Sequence, residues 1–359
     1  MTAALAGSVP DIAGFRFPPE PFDALLASLG WPERDRWVRA WLDRGGAALA
    51  PEAWRSTPGA DWIWGLALPL LSQLEQLAAE PRPTILGLTA SPATGKSTLC
   101  RWLRSAARQI GIQIETLSLD DFYYPSPLLE ESLRGNPWGV GRGLPGSHDT
   151  ALMLQCLEDW RQGRDVSVPV FEKTRRGGRG DRAGFRPLRG SLLLLEGWFV
   201  GVPGDQAGSG ETPSQTRPSA AAAPETDTDT TPETAAVRAL EEALSEVLRS
   251  ELSEAEITYR ATVQKALQSY APIWRQIDRL WRIRALDLRA TALWKQQQHS
   301  FTLNRPEADQ FIRMLLCSLP AGSWERIASD VLVEIDPLRT IHWIGLTPSR
   351  AGGAGGAGG

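Results

Sequence analysis

Thr84-Ile-Leu-Gly-Leu-Thr-Ala90, followed at once by Ser91-Pro-Ala-Thr-Gly95-Lys96-Ser97-Thr98, is the stretch on which the fold turns. The first half is a short apolar run bounded by Pro83 and Pro92, the composition of a strand buried on both faces. The second half fits the Walker A pattern, with Ala90 in the place usually held by glycine. Gly95 lets backbone N–H groups turn inward and approach a phosphate closely. From Ser97 to about Ile110 the periodicity is helical, so the loop opens a helix whose N-terminus also faces the phosphates. Ala90, Ser91, Pro92, Ala93, Thr94, Gly95, Lys96, Ser97 and Thr98 are therefore the candidate nucleotide-binding residues. In such a loop Lys96 reaches the β- and γ-phosphates of ATP and Ser97 ligates Mg²⁺. Pro92 has no N–H, which removes one loop donor; Thr94 or neighbouring amides are expected to compensate.

Further strands are expected at Ile114–Leu119, Val166–Phe171, Ser191–Leu195, Val331–Ile335 and Ile341–Leu346, with Pro169 placing the second of these at an edge. Strands alternating with helical stretches predict an α/β fold: a three-layer P-loop NTPase with a mainly parallel sheet and N- and C-terminal helical elaborations. Before the first strand, Phe22 to Leu77 has helical spacing and is expected to cap one side of the main domain. Thr234–Gln298 also reads as helical, with Leu240, Leu244, Val247 and Leu248 on one face. Pro203 to about Thr234 is rich in Pro, Ser, Thr, Ala and acidic residues and is expected to be a disordered insertion. The expected organisation is thus a helical extension (1–80), a kinase core (81–202), an insertion (203–234), a helical region with the last strands (235–347) and a Gly-rich tail (348–359).

Composition narrows the function. The 359 residues carry a net charge of −4, which gives no global basic surface for nucleic acid. Cys100, Cys156 and Cys317 are far apart and show no metal-ligand spacing, which suits a reducing compartment. No apolar run approaches a membrane span. The first residues have no basic n-region, and Asp11 and Glu20 argue against a transit peptide, so the cytoplasm is the expected location.

Two further clusters carry chemistry. Glu196 ends the Leu192–Leu195 run, where a Walker B acid holds Mg²⁺ or its water beside a P-loop strand. Asp120 and Asp121 follow the second expected strand in Ser118-Leu-Asp-Asp-Phe-Tyr123. A kinase acting on an alcohol needs a carboxylate there to orient the hydroxyl and take its proton.

Together these motifs resemble the uridine kinase, phosphoribulokinase and pantothenate kinase group of P-loop kinases. More specifically the chain resembles D-glycerate 3-kinase of the plant and cyanobacterial type. The residues that carry this are LSLDDFY (Leu117–Tyr123), GRGLPGSHD (Gly141–Asp149), GGRGDR (Gly177–Arg182) and LLLLEGWFVG (Leu192–Gly201). The stretch with Tyr270, Pro272, Trp274 and Asp278, and then Trp294 with Gln296–Gln298, extends the likeness. It covers roughly Thr84–Ile344 without the insertion. The resemblance implies transfer of the ATP γ-phosphoryl to the 3-hydroxyl of D-glycerate, a place in photorespiratory glycerate recovery, and Asp120 as the base, with Lys96 and Glu196 completing the catalytic set. Phe171-Glu172-Lys173-Thr174 departs from the family's Tyr-Asp-Lys-Ser, and Phe301–Pro306 stands where a Gly-Met-Ser stretch is common. Nucleoside or pantothenate phosphorylation, and a non-catalytic nucleotide-binding role, stay open as alternatives.

A glycerate carboxylate calls for cations, preferably an arginine fork. Arg142, Arg179, Arg182 and Lys173 are the candidates, with Asp121, Tyr123, His148 and Asp149 as further substrate contacts. The basic, glycine-rich Arg175–Arg182 stretch is expected to be a mobile loop that closes over anionic substrates.

Overall fold

The computed structural model describes residues 15–54, 56–204, 250–299, 305–319 and 321–347. The insertion's central part, the Leu240–Leu248 face, Phe301–Asn304 and the Gly-rich tail lie outside the described residues. Six strands form the main sheet: β1 (Thr84–Ala90), β2 (Glu115–Ser118), β5 (Leu192–Gly197), β6 (Arg279–Ala285), β7 (Val331–Ile335) and β8 (Ile341–Leu346), in the order β2-β5-β1-β6-β7-β8. All neighbours are parallel except β7 and β8. The apolar runs explain the centre. Every residue of β1 is buried, and so are Leu192–Leu195, because helices cover both faces.

On one face, helices α1 (Pro19–Ser28), α2 (Arg34–Asp43), α3 (Leu68–Ala78) and α4 (Lys96–Gln109) share one buried cluster with the sheet. Phe22, Trp37 and Trp64 pack edge to face within it, and Trp41 is buried in the same cluster. Trp37 and Trp41 both donate their indole N–H to Ser72 Oγ, at 3.1 and 3.0 Å. The opposite face is covered by α6 (Thr150–Arg161), α7 (Glu254–Leu267) and the short α8 (Ala271–Trp274).

Two elements differ from the expectation. Arg279–Ala285 lies inside the stretch read as continuous helix, yet it is β6, paired with β1 on one side and β7 on the other. Its apolar residues Leu280, Trp281, Ile283 and Ala285 are interrupted by three arginines, so they do not form the unbroken apolar run of a buried strand. The sheet decides the matter, because β6 fills the slot between β1 and β7. Val166–Glu172 does form a strand, β3, but outside the main sheet. It pairs antiparallel with β4 (Asp181–Leu188), whose first two residues belong to the Arg175–Arg182 stretch expected to be a loop. The Gly-rich stretch is therefore the tip of a hairpin, built on left-handed Gly177, Gly178 and Gly180. A Cβ on Gly180 would meet the Phe171 ring at 2.4 Å, so only glycine fits that turn.

Candidate active site

The P-loop spans the turn from β1 to α4. Gly95, at φ +112°, caps α4 with no side chain on its N-terminal amides, so those donors face the loop opening. Ala93 is held at φ +63°, a strained value for a residue with a Cβ. The hydroxyl of Thr94 is spent within the loop, donating to the Ser91 carbonyl at 2.5 Å. It does not replace the donor lost at Pro92.

Strand register places the two acid clusters. Glu196 stands between Leu88 of β1 and Ser118 of β2. Its carboxylate lies 3.9 Å from Lys96 Nζ, and both side chains are nearly buried. Ser118 then caps the 3₁₀ turn Leu119–Phe122, with Asp121 closing the capping box by accepting the Ser118 N–H at 3.1 Å. This turn points Asp120 into the cleft and Asp121 back at the strand end. Burial pushes the Asp121 carboxyl up to about 6, with the negative charges of Asp120 and Glu196 adding to it against Ser118 and Arg186.

Asp120 is differently set. Lys173 Nζ donates to its Oδ2 at 2.6 Å and Tyr123 Oη to its Oδ1 at 2.9 Å. Burial opposes its ionisation, but the Lys173 ammonium and these hydrogen bonds more than offset it and hold the carboxyl well below the usual range. Lys173 comes from the end of β3, so the hairpin delivers this cation. Glu172, beside it, turns outward to Arg175.

The Gly141–Asp149 loop runs alongside. Tyr124 N–H donates to the Ser147 carbonyl and Asp149 N–H to the Phe122 carbonyl, which binds the two loops together. His148 is buried and stacks on Tyr123 at 4.4 Å. Gly146 N–H donates to Tyr270 Oη, and the Tyr270 hydroxyl shares a hydrogen bond of 2.8 Å with His148 Nδ1. His148 Nε2 is buried and has no partner among the described residues. Burial pushes the imidazole down to about 4, against the pull of Asp120.

The remaining candidates are spread out. Arg142 donates to the carbonyls of Gly178 and Arg179 at 2.7 and 2.8 Å, tying its loop to the hairpin tip. Arg182 donates to the Tyr123 carbonyl and lies 3.5 Å from Asp149. Asp149 caps α6 by accepting from Leu152 N–H. The Arg179 side chain is 71% exposed and faces Glu130. Lys96, Glu196, Asp120, Lys173, Tyr123, His148 and Arg142 thus gather around one cleft, whereas Asp121, Asp149 and Arg179 are engaged at its margins.

Two residues of the site carry no motif. Lys295, on α9 (Ala290–His299), stands close enough to Lys173, Arg142, Asp120 and Lys96 to feel each charge. Burial, then Lys173 and Arg142, push its ammonium down to about 8. Arg339, in the β7–β8 turn, donates to the Ala93 carbonyl at 3.2 Å and lies over Trp294 at 5.1 Å. It braces the strained residue of the P-loop from 246 residues away. The only sequence signal for Lys295 was its place between Trp294 and Gln296.

Among the described residues no group of three His, Cys, Asp or Glu could hold a metal alone. A hydroxyl at Ser97 and a carboxylate at Glu196 are hard oxygen donors of the kind that fit Mg²⁺. Among the described residues no helix is long and apolar enough to cross a membrane.

A mainly parallel sheet of this order with a Gly-Lys-Ser loop between β1 and α4 defines a P-loop NTPase-type α/β fold. Solved structures agree. D-glycerate 3-kinase from Cryptococcus neoformans superposes with a TM-score of 0.57 at 20% identity, over 81% of this chain and 100% of that one. The YGR205w protein gives 0.54 at 19% identity, over 77% and 96%. In sequence, the uncharacterized kinase mug58 of Schizosaccharomyces pombe is 33% identical over 138 residues, 35% of this chain and 50% of that protein. The chloroplastic D-glycerate 3-kinase of Arabidopsis thaliana is 33% identical over 133 residues, 33% of this chain and 29% of that protein. The matches thus span half or less of these relatives' length. No family model matches the chain.

Proposed function

We propose that the protein is an ATP- and Mg²⁺-dependent kinase that phosphorylates D-glycerate to 3-phosphoglycerate. The observation that carries this reading is the placing of an anionic Asp120, held by Lys173 and Tyr123, one strand away from the Lys96–Glu196 pair. An acceptor hydroxyl at Asp120 faces a phosphoryl group cradled by Lys96 and the loop amides. Such an arrangement suits in-line transfer.

Each residue has a role. The free N-terminal amides of α4 and Lys96 hold the phosphates and neutralise developing charge. Ser97 and Glu196 would hold Mg²⁺, which would supply positive charge to offset the negative charge of the phosphates. Asp120 orients the hydroxyl and takes its proton late. Its depressed basicity suits a loose transition state, in which the attacking oxygen keeps its proton until transfer is advanced. Tyr123 and Lys173 hold Asp120 ionised and aimed. Arg142 would meet the acceptor's carboxylate, and the hairpin tip, fastened to Arg142, would shield the cleft. The names of the Arabidopsis and Cryptococcus proteins support glycerate as acceptor. Three buried free thiols are consistent with a reducing compartment, for which the cytoplasm is our expectation, and the resemblance to plant-type enzymes suggests photorespiratory glycerate recovery.

The second reading, another small alcohol such as pantothenate, has support from the Streptococcus thermophilus pantothenate kinase, 32% identical over 98 residues. The deciding experiment is ADP release with Mg-ATP and D-glycerate, L-glycerate, uridine, pantothenate or ribulose 5-phosphate. Stimulation by D-glycerate with 3-phosphoglycerate as product is expected. Stimulation by another alcohol and not by glycerate would overturn the substrate.

A further inference from the structure

The cleft holds more positive charge than its own carboxylates balance. Lys96 is paired with Glu196 and Lys173 with Asp120. Arg142 and Lys295 have no carboxylate partner among the described residues. Arg142 spends one guanidinium nitrogen on two backbone carbonyls. Lys295 Nζ sits 4.6 Å from the centre of the Phe311 ring. The same ring packs against Gly143, where an added Cβ would approach it to 3.3 Å. The Phe311 ring thus meets both the Lys295 ammonium and Gly143, the neighbour of Arg142. Of the charges that Lys295 senses, Lys173 and Arg142 act most strongly, then Asp120, and Lys96 least. A lysine held among three like charges is unfavourable unless an anion joins them.

We propose that Lys295 and Arg142 together form the subsite for the acceptor's carboxylate, and that Lys295 makes the enzyme select anionic alcohols over neutral ones. This rests on the reading of the cleft as a kinase site. A planar carboxylate suits one forked and one point cation. It would offset one of the two unbalanced positive charges, shared between both cations, and place the acceptor's hydroxyl end toward Asp120.

The test uses the full chain with Lys295→Gln and Lys295→Arg. Steady-state ADP release is measured against D-glycerate, pantothenate, and glycerol as the neutral analogue, together with the KM for ATP. Lys295→Gln is expected to raise the KM for D-glycerate about 10- to 100-fold, the worth of a charge-assisted hydrogen bond. The KM for ATP should stay within about threefold, the preference for glycerate over glycerol should shrink by the same factor, and Lys295→Arg should restore most of it. An equal rise in the ATP KM, or no change with glycerate, would overturn the subsite while leaving wild-type glycerate turnover, and so the proposed function, standing. Wild-type activity on pantothenate alone, with the same Lys295 effect, would keep the subsite and remove glycerate. Wild-type preference for a neutral alcohol would overturn both.

Discussion

Asp120→Asn is the sharpest perturbation of the proposed chemistry. Asparagine has the same shape, and its amide oxygen still accepts a hydrogen bond from Tyr123 or Lys173, which now lie at 2.9 and 2.6 Å. The fold of the 3₁₀ turn rests on Ser118 and Asp121, not on Asp120's carboxylate, so the geometry should survive. What is lost is the negative charge that accepts the proton. A positioned general base is worth about 10²–10⁴-fold in rate, so kcat should fall by about that factor, equivalent to roughly 3–5 kcal/mol of transition-state stabilisation. The phosphate cradle is built on the other side of β5 from Lys96 and the α4 amides, so the KM for ATP should change by less than about threefold. Coupled ADP release with saturating D-glycerate gives kcat, and binding of a fluorescent ATP analogue checks the cradle. A kcat within about threefold of wild type would refute Asp120 as base. A parallel loss of nucleotide binding would show that the substitution acts on the loop instead.

The protonation state of Lys295 gives a pH test. Its ammonium, pushed down to about 8 by burial and by Lys173 and Arg142, with Lys96 adding to them and Asp120 opposing, is charged below that pH and neutral above it. The kcat/KM for glycerate should therefore fall as pH rises through about 8, and Lys295→Arg should move that limb upward; an unmoved limb would exclude Lys295 as its source. Ser72→Ala should destabilise the fold by about 2–4 kcal/mol, because it orphans the buried indole N–H groups of Trp37 and Trp41. A lower denaturant midpoint with an unchanged m-value would confirm this, and a loss under about 0.5 kcal/mol would contradict it. Glu256 pairs with Arg313 through two contacts of 2.8 Å, with both side chains 8% exposed, and also accepts from Trp138 Nε1. Burial opposes its ionisation, but Arg313 holds it down to about 2, so the pair's contribution is present above about 4.5 and is lost as pH falls toward 2. Glu256→Gln should cost about 3–5 kcal/mol at neutral pH and flatten the stability profile across that acid window; thermal melts from pH 2 to 7 would show it, and an unchanged acid slope would refute it.

The P-loop, β1 and β5 were legible because their signals are local. A buried strand of a parallel sheet is written as a run of apolar residues, and a phosphate loop needs glycine, lysine and a hydroxyl at fixed spacing. Asp120 and Glu196 could be placed by sequence because strand ends beside a P-loop face one cleft. Tertiary structure decided the rest. The apolar residues of β6 are interrupted by arginines, and only the vacancy between β1 and β7 makes it a strand. His148 reads from sequence as a substrate contact, and only the fold shows it buried, stacked on Tyr123 and hydrogen-bonded to Tyr270, 122 residues later. Arg339 and Lys295 sit in no motif, since their partners Ala93, Phe311 and the Asp120 cleft become neighbours only when the sheet is assembled. Sequence by itself determined where the phosphate-type loop lies, because that depends on backbone geometry over a few residues. The charge balance that selects an acceptor depends on side chains carried in from separate strands, hairpins and helices, and packing alone brings those together.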